Sequence, residues 1–179
     1  MTLASFITTT RIILIIPILF CLSQSSLFSI ISALFLFIIA SATDYLDGYI
    51  ARKTNSVTNL GALLDLVADK LLTCLTLIWL LTINNHIILE IPTMLIIFRE
   101  IAISSTRQFI AENTEDLKIK VTKYGKGKTT IQFISISFLI LLPVMGNTFF
   151  IITALLLWTA ALLSLFSLLN YLLIWKKKA

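Results

Sequence analysis

Charge is scarce in this sequence. Lysine, arginine, aspartate and glutamate make up only 13% of its 179 residues, while 58% are hydrophobic. A soluble domain of this length could not enclose that much apolar side chain, so the water-soluble globular classes are excluded. Cysteine is nearly absent as well. Cys21 and Cys74 both fall in apolar stretches, offer no disulfide framework, and read as small packing residues. The single histidine, His86, lies in a short loop away from the acidic residues, and no Ser-His or Cys-His pair is evident. An alternating strand pattern is also missing, which argues against a β-barrel.

What the chain has instead is long apolar runs, as a bilayer demands. The hydropathy pattern predicts an all-α polytopic membrane protein, read as one domain over 1–179. Its six transmembrane helices are placed at about 7–22, 27–50, 61–83, 87–110, 128–146 and 148–174. The loops 23–26, 84–86 and 146–147 are short enough to imply antiparallel helical hairpins. The first run has no clear small-residue cleavage site after it and is expected to be a retained helix. Those three loops contain no lysine or arginine, whereas the opposite side carries Arg52, Lys53, Lys118, Lys120, Lys123, Lys126, Lys128, Lys176, Lys177 and Lys178. The positive-inside rule therefore places both termini in the cytoplasm. The net charge of +5 needs no nucleic acid to explain it, because basic residues beside a bilayer set topology and touch anionic lipid.

Against this background, four of the nine acidic residues gather in 44–70: Asp44, Asp47, Asp65 and Asp69. Asp44 and Asp47 are spaced i, i+3, and Gly48 and Ala51 continue their helical face. Asp65 and Asp69 are spaced i, i+4, with Gly61 one turn earlier. The polar segment 53–60 reads as the turn between the two helices. Carboxylates crowded at headgroup depth repel one another and take up protons unless cations fill the site. As hard oxygen ligands they suit Mg²⁺, Mn²⁺ or Ca²⁺ rather than zinc. Interfacial charges paired with Arg52, Lys53 and Lys70 are one alternative. A cation carrier is another, although the acids cluster at one end and no inverted repeat is visible.

These residues resemble the signature of the CDP-alcohol phosphatidyltransferases, D-x-x-D-G-x-x-A-R, a spacer, then G-x-x-x-D-x-x-x-D. All eight fixed positions are present, as Asp44, Asp47, Gly48, Ala51, Arg52, Gly61, Asp65 and Asp69. Within that family, LDGYIARKTNSVTNLGALLD, FREIAISSTRQFIAE (98–112), YGKGKTTIQ (124–132) and TTTRIILIIP (8–17) are similar to the bacterial phosphatidylglycerophosphate synthases. Two departures stand out. Ala4 and Ser5 occupy the place of an Asn-Pro-Asn-like opening, and Leu66 stands where a proline is common.

The resemblance implies six transmembrane helices and transfer of a phosphatidyl group from CDP-diacylglycerol to an alcohol, releasing CMP. In the subfamily the acceptor is sn-glycerol 3-phosphate; inositol phosphate, phosphatidylglycerol and serine are the alternatives. It further implies two Mg²⁺ ions (or Mn²⁺) on Asp44, Asp47, Asp65 and Asp69, with Asp69 as general base. The nucleotide lipid is expected against Gly48, Ala51, Arg52 and Gly61, and within reach of Thr8 and Arg11. A helix cap and an interfacial anchor explain Thr8 and Arg11 equally well. A homodimer in the inner (cytoplasmic) membrane, with its site facing the cytoplasm, completes the picture. The acceptor's phosphate needs a basic site of its own. Arg99 and Arg107 on the fourth span, with Lys126 and Lys128 at the start of the fifth, are the candidates. Glu100, adjacent to Arg99, is expected to point away from it.

Overall fold

In the computed structural model every described element is helical, and no strand occurs among the described residues. The description covers the backbone of residues 3–24, 26–53, 59–113 and 123–178, and the side chains of residues 8–24, 26–43, 61, 63–110 and 127–176. The described residues form six α-helices: α1 (Leu3–Ser23), α2 (Leu27–Lys53), α3 (Asn59–Ile83), α4 (Ile87–Asn113), α5 (Lys123–Leu141) and α6 (Asn147–Lys178). They follow the six predicted spans to within a few residues.

Local chemistry explains the breaks between them. Ser26 caps α2, its hydroxyl accepting from the Ser29 N–H at 3.2 Å, which satisfies one of the donors a helix start leaves open. The His86 carbonyl does the same for α4, accepting from Leu89 and Glu90 at 2.9 and 3.1 Å. α5 stops earlier than the apolar run does. Pro143 has no N–H to continue the ladder, so the chain tightens into a 3-10 turn at Leu142–Val144.

Among the described residues three stretches are long and apolar enough to cross a membrane: Leu63–Ile83, Gly127–Val144 and Asn147–Lys176. α1 and α2 contribute the shorter apolar stretches Thr8–Ser23 and Leu27–Thr43. α4 is long enough at 27 residues but carries Glu90, Arg99, Glu100 and Arg107 along its length. The outward faces are as oily as the core: Phe28 is 82% exposed, Ile16 71% and Phe20 66%. Helices apolar on every side belong in lipid rather than water.

The chain forms two compact units. The first is Met1–Asn84 with Ser137–Gly146; the second is Asn85–Ile136 with Asn147–Ala179. In the first, α1 packs along both α2 and α3. Its inward stripe is Thr8, Arg11, Ile15, Ile18 and Leu22, a spacing of three and four that keeps one face of a helix turned inward. In the second, α4 packs along α6, where Ala160, Ala161 and Ser164 are fully buried and let the helices come close.

Candidate active site

Each unit carries its own group of candidate side chains. In the first unit α3 carries Asp65 and Asp69 one helical turn apart, about 9 and 15 Å along the axis from its start at Asn59. Arg11 meets Asp65 from α1. Its Nη1 donates to Asp65 Oδ1 at 3.4 Å. The two partners differ in burial: the Arg11 side chain is fully enclosed, while that of Asp65 is 49% exposed. An enclosed guanidinium is tolerated only with an anion beside it. The open side of Asp65 leaves carboxylate surface for something else.

The same geometry describes the amino-terminal pair. Thr8 lies well inside α1 rather than at its cap, and it is buried one turn from Arg11. Neither residue is an interfacial anchor. Both belong to the interior face of α1, and Arg11 reaches α3 from it. Gly61 is half-buried near the start of α3. The α2 backbone is helical through Asp44, Asp47, Gly48, Ala51 and Arg52, but their side chains lie outside the described residues. Among the described residues no group of three metal-ligating side chains assembles. Asp65 and Asp69 are therefore the described half of the expected tetrad. Their chemistry, paired hard carboxylates with one partly open to solvent, fits a Mg²⁺-type ion.

The second unit holds a buried charge cluster. Arg99 extends from α4 to α6, where its Nε donates to the Ser164 carbonyl at 3.2 Å and its Nη2 to Ser167 Oγ at 3.2 Å. Its Nη1 donates to Glu100 Oε1 at 2.9 Å. Lys128 on α5 donates to the same oxygen at 2.7 Å. Glu100 thus joins two cations, Arg99 from its own helix and Lys128 from α5, while Arg99 reaches on to α6. Arg107 lies two turns further along α4 and is exposed, its guanidinium 5.7 Å from the centre of the Tyr171 ring on α6, a cation–π distance. Lys126 belongs to α5, with its side chain outside the described residues.

Glu100 corrects the sequence expectation. Adjacent helical residues diverge by about 100°, which made it a poor partner for Arg99. Both side chains are long, however, and both are buried in this unit. In a medium of low dielectric, leaving either charge unpaired costs more than bending two flexible chains together. Lys128 then fixes where the carboxylate must lie. The contributions of α6 were also not anticipated. Ser164, Ser167 and Tyr171 form a polar stripe at i, i+3, i+7 on an otherwise apolar span, the kind of pattern that marks a functional face within a membrane.

Comparison with known proteins bears on both groups. The family model for CDP-alcohol phosphatidyltransferase matches residues 1–166. The CDP-diacylglycerol–glycerol-3-phosphate 3-phosphatidyltransferase of Haemophilus influenzae is 40% identical over 137 residues, covering 76% of this chain and 73% of the relative. The protein of the same name from Rickettsia typhi is 38% identical, covering 91% of this chain and 90% of its own length. That from Shigella flexneri is 35% identical over 79% of this chain and 76% of the relative. With a match across the aspartate signature, the Arg99 segment and the start of α5 alike, the chain belongs to the CDP-alcohol phosphatidyltransferase family.

Proposed function

We propose that the protein transfers the phosphatidyl group of CDP-diacylglycerol to sn-glycerol 3-phosphate, yielding phosphatidylglycerophosphate and CMP. The observation that carries this reading is the similarity to enzymes named for this reaction over nine tenths of the chain's length, with all eight signature positions intact.

The donor's headgroup is the partner of the aspartate signature. Asp44, Asp47, Asp65 and Asp69 would hold the divalent cations, Mg²⁺ or Mn²⁺, whose chemistry is to neutralise the pyrophosphate and ease departure of CMP. Arg11 keeps Asp65 Oδ1 oriented and offsets repulsion within the aspartate group. Gly48, Ala51, Arg52 and Gly61, with Thr8, form the nucleotide side. Asp69 accepts the proton of the acceptor hydroxyl. The hydroxyl oxygen attacks the phosphatidyl phosphorus in line, the bond from that phosphorus to the CMP oxygen breaks, and CMP leaves with the electron pair. No covalent enzyme intermediate is needed.

Arg99, Arg107, Lys126 and Lys128 would bind the acceptor's phosphate. Arg99 and Lys128 share one carboxylate and so retain one net positive charge. Arg107 and Lys126 add to it, and the start of α5 contributes its helix dipole. The basic residues flanking the helices support an orientation with both termini and the site facing the cytoplasm, in the inner membrane of the cell. By resemblance the enzyme works as a homodimer.

The test is CMP release by the purified protein in mixed micelles containing CDP-diacylglycerol, with sn-glycerol 3-phosphate, inositol phosphate, phosphatidylglycerol and serine offered in turn. Release with sn-glycerol 3-phosphate, and little with the others, is expected. Preference for any other acceptor would replace the assignment, and cation flux in liposomes without CMP release would overturn the enzyme class.

A further inference from the structure

The fold buries hydrogen-bonding atoms in the second unit that it does not itself satisfy. Gln132 on α5 is 4% exposed, and its Oε1 has no hydrogen-bond partner. Ser164 Oγ, on the residue whose carbonyl receives Arg99, is likewise enclosed and unpartnered. Orphaned buried polar atoms are rare in proteins and call for an explanation. A side chain whose only task was packing would be served better by an apolar residue of the same shape.

The position of Gln132 suggests its task. It follows Lys128 by four residues, so the two lie on one face of α5, about 6 Å apart along the axis. That face is turned to α6, because Ser135 Oγ donates to the Leu156 carbonyl at 3.0 Å. Counting back along the antiparallel pair from this contact sets Gln132 level with Thr159 and Ala160, and Lys128 level with Leu163 and Ser164. Gln132 is thus one turn deeper than the charge cluster, level with buried small side chains of α6. A phosphate held at Lys128 and Arg99 would carry the rest of its molecule along this face. An amide oxygen can only accept a hydrogen bond. It cannot be satisfied by a phosphate dianion, but it can by a hydroxyl.

We propose that Gln132 is a specificity-determining residue of the acceptor subsite, its Oε1 accepting a hydrogen bond from the hydroxyl of sn-glycerol 3-phosphate that does not react. This rests on the function proposed above and adds to it a reason why a phosphorylated polyol, rather than any phosphorylated alcohol, is the substrate. A site built to pair with a hydroxyl rejects the analogue lacking it, because its own buried group is then left unsatisfied.

The experiment pairs one variant with one analogue. The acceptors are sn-glycerol 3-phosphate and 3-hydroxypropyl phosphate, which keeps the phosphate and the primary hydroxyl but lacks the secondary one. The proteins are the wild type and Gln132→Met, of similar length and shape but with no amide. The wild type should use the deoxy acceptor about tenfold to a hundredfold less efficiently, chiefly through KM. Gln132→Met should lose a similar factor with sn-glycerol 3-phosphate and almost nothing with the deoxy acceptor. Its binding of CDP-diacylglycerol without acceptor should be unchanged, which reports that the variant is folded. A wild type that uses both acceptors equally well overturns the assignment without reference to any variant. So does a folded Gln132→Met that is impaired equally with both, or with neither. A wild type that releases no CMP with either acceptor refutes the proposed function itself, and this assignment with it.

Discussion

Replacing Glu100 by glutamine should destabilise the protein far more than loss of an ordinary ion pair. The substitution preserves shape and removes one charge. In the native protein that charge serves Arg99 at 2.9 Å and Lys128 at 2.7 Å, with all three side chains less than a tenth exposed. Arg99 retains the Ser164 carbonyl and Ser167 Oγ, so its loss is partial. Lys128 loses its counter-charge in a buried setting. Breaking a buried pair by removing one member typically costs about 3–5 kcal/mol, because an uncompensated charge stays behind; exposed pairs are worth about 0–1 kcal/mol. Glu100→Gln should therefore fall in the higher range, read as reduced resistance to thermal or denaturant unfolding in detergent micelles. Adding Lys128→Met to Glu100→Gln removes the stranded charge and should recover part of the loss, giving a coupling of at least about 1 kcal/mol between the two sites. A Glu100→Gln protein within about 0.5 kcal/mol of wild type, or strictly additive effects in the double variant, would show that the cluster is not the buried network described.

Chelation with EDTA should abolish CMP release, and Mg²⁺ or Mn²⁺ should restore it; full turnover in metal-free buffer would dismiss the role given to the aspartates. Asp69→Asn keeps the side chain's shape but not its basicity, so kcat should fall by about an order of magnitude or more, and near-normal rates across the pH range would remove Asp69 from proton transfer. Arg107→Ala should lower acceptor efficiency about tenfold to a hundredfold and leave CDP-diacylglycerol binding nearly intact; steady-state kinetics with each substrate varied in turn will separate this from a donor defect or a purely topological charge.

Much of this protein could be read from the order of its residues. Membrane helices have lengths and compositions dictated by the bilayer, so the six helical segments and their hairpin breaks are legible in the residue order alone. The aspartate signature was visible because its spacing is local, within single helices. Residues whose partners lie on other helices were not. Nothing in the sequence set Arg11 of α1 against Asp65 of α3, 54 positions away, or separated an interfacial arginine from an enclosed one. Only packing did so, by turning the Thr8–Arg11–Ile15 stripe inward. Glu100 shows the same limit more sharply. Local helix geometry argued against its pairing with Arg99, and the burial of α4 against α6, with Lys128 arriving from α5, reversed the outcome. The sequence by itself determined the solvent, the helices and the chemical groups available. The tertiary structure alone decided which charges share a low-dielectric interior, because there the penalty for an unpaired charge exceeds every local preference.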